Sequence, residues 1–81
     1  MDTTSIKTKV REIVANYYDV DIDEVTPDCK IIEDFDGDSL DCITLVYSFD
    51  TEFSISIPLE NIDKLSTLQD WQNFIIKMME T

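Results

Sequence analysis

Residues 36–53 read Asp36-Gly37-Asp38-Ser39-Leu40-Asp41-Cys42-Ile43-Thr44-Leu45-Val46-Tyr47-Ser48-Phe49-Asp50-Thr51-Glu52-Phe53, and this stretch decides the fold. Asp38 is a competent helix cap, because its carboxylate can accept the unpaired N–H groups of a first helical turn. At about 100° per residue, Cys42, Leu45, Val46, Phe49 and Phe53 share one face. That face is the core side of a helix expected over about residues 39–53. Asp41, Thr44, Ser48, Thr51 and Glu52 form the opposite, solvated face. Leu40, Ile43 and Tyr47 fall on neither and make a separate apolar ridge on the flank nearest Ser39. Such a ridge is either covered by the neighbouring loop or exposed as a strip for protein partners.

On the N-terminal side, Asp2, Thr3, Thr4 and Ser5 are helix-start residues, able to satisfy first-turn donors. Ile6, Val10, Ile13, Val14 and Tyr17 follow at helical spacing, so the spacing predicts a first helix over about residues 4–18. Residues 19–38 then carry Asp19, Asp21, Asp23, Glu24, Asp28, Glu33, Asp34, Asp36 and Asp38 against a single Lys30. Aspartate density and Pro27 oppose a long helix there. Val20, Ile22, Val25, Ile31, Ile32 and Phe35 predict a long loop pinned to the core at intervals. A connection of that length inside a small domain is usually functional.

On the C-terminal side, Ser54-Ile55-Ser56-Ile57 alternates like a strand but has no second strand to pair with. It reads as an extended connector ending at Pro58. A short helical segment near 59–64 follows, with Leu59, Ile62 and Leu65 expected to face inward. Ser66 with Gln69 three residues on fits a capping box. A last helix, about 67–79, is then expected to bury Leu68, Trp71, Ile75 and Met78, with Phe74 and Met79 alongside. The fold class is all-α: one domain over residues 1–81, a small bundle of three main helices plus one short helix.

Composition narrows the function. The chain has 81 residues, 18 acids, 6 bases and a formal net charge of −12. An acidic surface argues against nucleic acid and anionic membranes as partners and favours basic patches on proteins. Four Phe, three Tyr and one Trp oppose the disorder that such a charge would otherwise suggest. A domain of this size buries only about 60% of its unfolded surface, too little for a core and a deep catalytic cleft together. The chain lacks histidine, which removes Cys/His metal sites and His-based catalysis. EF-hand registers starting at Asp19 or Asp34 both fail, since position 6 would be Glu24 or Ser39 and position 12 would be Lys30 or Leu45. No catalytic residue and no metal ligand is assigned. Without a signal-type apolar segment or a run able to span a bilayer, the expectation is a cytoplasmic monomer with Cys29 and Cys42 reduced.

Ser39 is the informative residue. With Asp38 already able to cap the helix, the hydroxyl is not needed for that purpose. A helix N-terminus also suits a phosphate attached there. Asp38-Ser39-Leu40-Asp41, the amphipathic helix behind it and the downstream Glu52-Phe53 and Ile57-Pro58 resemble the acyl carrier protein family over essentially the whole chain. The resemblance implies that a carrier protein synthase, a phosphopantetheinyl transferase, moves 4′-phosphopantetheine from coenzyme A to Ser39, between Asp38 and Leu40. It implies acyl groups held as thioesters for fatty-acid, polyketide or related biosynthesis. It also implies acyl-loading and acyl-modifying enzymes that dock basic patches on the second helix, with Leu40, Ile43, Tyr47, Asp38 and Asp41 at the contact positions. Leu45, Val46, Phe49, Phe53, Ile57, Leu65, Leu68 and Ile75 would line the space for an acyl chain.

The chain departs from that pattern in three places. The family usually has Leu-Gly-x before Asp-Ser-Leu, whereas Phe35-Asp36-Gly37 moves the glycine one place later. Thr44 stands where an acid is common, and Tyr47 where an aliphatic residue or Met is usual. Phe49 and Trp71 would crowd the acyl space and favour shorter or unusual cargo. Two alternatives stand beside this reading: a carrier of aminoacyl or aryl groups, and an unmodified acidic domain that binds a basic protein.

Overall fold

The computed structural model describes residues 2–80, at positions 61 and 63 through the backbone alone. Asp2 starts the first helix, its Oδ1 accepting the Ser5 backbone N–H at 2.8 Å and so satisfying a donor that has no partner inside the helix. This helix, α1, runs Thr3–Tyr18 and stops where Asp19 turns left-handed at φ 57°. It buries Ile6, Val10, Val14 and Ala15. The expected stripe is therefore corrected at its end: Tyr17 is exposed and Ala15 takes the inward place. From the surface the Tyr17 hydroxyl reaches the next helix, where it donates to Asp41.

The expected long connection is present, but two 3₁₀ turns, Ile22–Glu24 and Glu33–Phe35, break it up. Val25 and Ile31 are fully buried, and Val20, Ile22, Ile32 and Phe35 pack against the core. Arg11 holds the first half, its Nε donating to the Val25 carbonyl and its Nη2 to the Ile22 carbonyl, both at 2.9 Å.

The second helix, α2, spans Ser39–Phe53 and buries Leu45, Val46, Phe49 and Phe53. Cys42, expected on this core face, is only half-buried. On the other side, the hydroxyls of Thr44, Ser48 and Thr51 each donate to the carbonyl four residues back. Left-handed Ser54 ends the helix at φ 54°. The connector to Pro58 is then held by the Ile57 N–H donating to Asp50 Oδ1 at 2.9 Å.

The short segment is a 3₁₀ helix, Leu59–Lys64. Ile62 and Leu65 pack against the core. Leu59 does not: it stands directly after Pro58, at the outer end of the turn, and is 57% exposed.

The third helix, α3, runs Leu68–Met79. Its cap lies one residue later than expected, on Thr67 paired with Asp70 rather than on Ser66 with Gln69. The Asp70 carboxylate accepts both the Thr67 and the Ser66 backbone N–H groups, and these bonds hold it below the usual carboxylate range. The loop completes the cap, because the Leu68 and Gln69 N–H groups donate to the Cys29 and Pro27 carbonyls.

The core lies where the three helices meet, around fully buried Trp71, Phe49, Ile31, Leu45, Leu68 and Ile75. The Phe49 and Trp71 rings sit 5.7 Å apart at 43°. Gln72 is buried as well and ties α3 to α1, its Nε2 donating to the Lys7 carbonyl at 3.0 Å. Among the described residues there is no strand, only an isolated antiparallel bridge between Lys30 and Thr67. No described helix is long and apolar enough to cross a membrane.

Candidate attachment site

The turn before α2 fixes where Ser39 stands. Asp36 takes the left-handed conformation at φ 57°, which Asp tolerates better than most side chains. Gly37 then needs space, not a special backbone. A Cβ there would lie 2.8 Å from the Tyr18 hydroxyl, 3.1 Å from the Ile32 carbonyl oxygen and 3.3 Å from Asp41 Oδ2. The displaced glycine therefore has a cause: Asp36 supplies the left-handed turn, while Gly37 makes room for Tyr18. Tyr18 stacks on Phe35 at 4.6 Å. Its hydroxyl is buried without a hydrogen bond, and burial, with the Asp41 charge second, pushes it up to about 12.

Asp38 caps α2, its Oδ1 accepting the Leu40 and Asp41 backbone N–H groups at 3.0 and 3.2 Å. Asp41 completes the box through Oδ2, which accepts the Asp38 N–H at 2.9 Å. Its Oδ1 accepts the Tyr17 hydroxyl at 2.5 Å, joining the end of α1 to the start of α2. The Tyr17 bond, with the Asp38 N–H second, holds the Asp41 carboxyl below the usual range. The same bond raises Tyr17. Both acids beside Ser39 thus spend acceptor capacity within the chain, although a carboxylate has about four acceptor sites and each keeps some for a partner. Ser39 is the first residue of the helix, is exposed, and takes no part in these cap bonds.

Two surfaces flank Ser39. On one side Ser39 opens onto a cleft of about 390 Å³ whose walls include Lys30, Ile32, Cys42, Ile62, Leu65 and Ser66. On the other, the ridge of Leu40, Ile43 and Tyr47 is 70%, 44% and 72% exposed, and the loop leaves it bare. Beyond Tyr47 a shallower groove runs between α1 and α2, lined by Ile13, Tyr17, Thr44 and Ser48 among others.

The residues assigned to an acyl space are arranged less openly. Leu45, Val46, Phe49, Phe53, Ile57, Leu68 and Ile75 are buried core residues, and only Leu65 borders the cleft beside Ser39. Cys29 is buried, and burial followed by the charge of Asp34 raises its thiol. Sequence reasoning missed Tyr17, Tyr18 and Lys30 as neighbours of this site. For Lys30 a signal existed, since it is the only base between Arg11 and Lys64. For the tyrosines there was none, because their contacts cross from α1 to the loop and α2.

Comparison with known proteins identifies the family. The phosphopantetheine attachment site family matches residues 8–75. The chain is similar to the acyl carrier protein of Akkermansia muciniphila, with 41% identity over 78 residues, 96% of this chain and 98% of that one. It is 40% identical to the acyl carrier protein of Thermosynechococcus vestitus over 93% of each chain. A solved acyl carrier protein structure from Enterococcus faecalis superposes with a TM-score of 0.81 at 27% identity, covering 96% of this chain and 99% of that one. The match spans the helix start at Ser39, the acidic loop before it and most of α3, and the chain therefore belongs to the acyl carrier protein family, whose members hold a covalently attached 4′-phosphopantetheine.

Proposed function

We propose that Ser39 is the residue that accepts 4′-phosphopantetheine, and that this chain carries acyl groups without catalysing a reaction of its own. The observation that carries the reading is an exposed serine at the first position of α2, inside the matched family region. The helix cap is complete without its hydroxyl. A carrier protein synthase transfers the arm from coenzyme A: a bond forms from Ser39 Oγ to phosphorus, and the nucleotide half of coenzyme A leaves. Once in place, the arm's terminal thiol holds acyl groups as thioesters. The residues present fit the group, since the positive end of α2 favours an attached phosphate and a cleft with both polar and apolar walls begins at the same serine.

Partners are enzymes that load or modify acyl groups, meeting α2 through basic patches. Leu40, Ile43 and Tyr47 supply the apolar contact, with Asp38 and Asp41 as the acidic edge. Tyr47 and Thr44 direct the chain toward partners other than those of a housekeeping fatty-acid carrier. A cargo chain would have to part Leu45, Val46, Phe49, Phe53, Ile57, Leu65, Leu68 and Ile75. Because Phe49 and Trp71 already fill that region, short or unusual acyl groups suit it best. The whole chain acts as one cytoplasmic carrier domain.

Intact mass tests the central point. Incubation with coenzyme A and a broad-specificity carrier protein synthase should add one phosphopantetheine to the wild type and none to Ser39→Ala. No gain in the wild type would leave the chain as an unmodified acidic interaction domain.

A further inference from the structure

Ser39 stands in a strongly acidic neighbourhood: Glu33, Asp34, Asp36, Asp38 and Asp41 all lie within six residues of it in sequence. A phosphodiester there would add another negative charge. Lys30 is the one base among residues 12–63, and it lines the same cleft as Ser39. Its backbone is held firmly: its N–H donates to Asp34 Oδ2 at 2.9 Å, its carbonyl accepts the Asp34 N–H, and it bridges to Thr67 at the start of α3. Its ammonium, by contrast, is half-exposed and among the described residues makes only a 3.6 Å ion pair with the more exposed Glu33. Exposed pairs of that kind are worth little and are readily exchanged. The side chain is therefore anchored at its root and available at its tip.

We propose that Lys30 binds the phosphodiester formed on Ser39 and thereby lays the first part of the arm into the cleft, against Ile62 and Leu65. The inference rests on Ser39 being the attachment point. An ammonium is a compact point charge with three donors, suited to a phosphate oxygen presented from several angles. Beside Lys30 the cleft carries the carboxylates Glu33 and Asp38, and this ammonium is the only cation among the described residues lining it, while Ile32, Ile62 and Leu65 give a pantetheine chain apolar wall and Ser66 a hydroxyl for an amide. The arm would then leave α2 on the side away from the exposed α2 ridge, keeping cargo and partner contact apart.

Phosphorus NMR of the loaded protein tests this without any activity assay. Wild type, Lys30→Met and Lys30→Arg are each loaded from coenzyme A, with intact mass confirming one arm per chain. The phosphodiester resonance of Lys30→Met should be displaced from that of the wild type, and Lys30→Arg should restore it. Added NaCl should move the wild-type signal toward the Lys30→Met position and leave Lys30→Met in place, because only the wild type has an ion pair to screen. Nuclear Overhauser contacts from the arm's geminal methyl groups to Ile62 and Leu65 should weaken in Lys30→Met. Coincident, salt-insensitive signals in wild type and Lys30→Met would overturn the role of Lys30 while leaving attachment at Ser39 intact. Absence of the mass gain would remove the attachment reading and this inference with it.

Discussion

Gly37 shows how much one residue can settle near the site. It is the only glycine, yet among the described residues the three left-handed positions belong to Asp19, Asp36 and Ser54. Its role is steric, because Tyr18, Ile32 and Asp41 crowd the place of a Cβ. Gly37→Ala should cost about 1–3 kcal/mol, as overpacking does, and most of that should come from the Tyr18 hydroxyl. In a Tyr18→Phe background the penalty should shrink, with a coupling on the order of 1 kcal/mol for residues in contact. The Ile32 carbonyl at 3.1 Å keeps it above zero. A urea-unfolding cycle of the four proteins measures this. Additive losses would mean that Tyr18 does not impose the glycine.

At the scale of elements, each helix start is satisfied by side chains, whereas two of the helix ends depend on strained backbone. Asp19 closes α1 and Ser54 closes α2, both left-handed. Asp tolerates that region through local hydrogen bonding, but serine has less to offset the crowding of its Cβ. Ser54→Gly should therefore stabilise the fold by roughly 0.5–1 kcal/mol, read as a higher urea midpoint at unchanged slope. A lower midpoint would show that the Ser54 side chain contributes more than its conformation costs. The elements also hold α2 in place. Its inner face is locked by Leu45, Phe49 and Phe53, while its start is tied to α1 through Tyr17 and Asp41. The exposed ridge is thus presented on a fixed helix.

For the whole molecule, charge and burial set the limits of stability. The net charge is −12, and the ion pairs among the described residues, Lys9 with Glu12 and Glu52 and Lys30 with Glu33, are all on the surface. Self-repulsion should dominate. Raising NaCl toward about 1 M, where the Debye length falls to about 3 Å, should raise the Tm by several degrees, and a flat or falling Tm would refute this. The alkaline limb has a different origin. Tyr18 ionises at about 12 in the fold against an ordinary 10.0, so the unfolded chain loses its proton first. The stabilising contribution is whole below pH 10 and disappears as pH climbs through 12. Melting by circular dichroism should show a loss of Tm over that window which is shallower in Tyr18→Phe. Equal slopes would place the alkaline loss elsewhere.

Wherever periodicity is strong, the helices and their inward faces follow from residue order alone. That order placed α2 over 39–53, assigned Leu45, Val46 and Phe49 to the core, and marked Ser39 as a serine the helix cap did not need. Those properties are local: they follow from residue spacing and from a carboxylate within reach of backbone N–H groups. Where the local signal was ambiguous by one position, as between Ser66 and Thr67, only the fold chose. Thr67 became the cap because Asp70 could satisfy both preceding N–H groups while the Cys29 and Pro27 carbonyls met the next two. Tertiary structure alone decided that Tyr17 would hold Asp41, that Tyr18 would demand Gly37, and that Lys30 would come to share a cleft with Ser39. Each joins residues nine or more apart in sequence, across elements whose relative placement no periodicity encodes. The surroundings of Ser39 are therefore a property of packing, while the serine itself was legible from the chain.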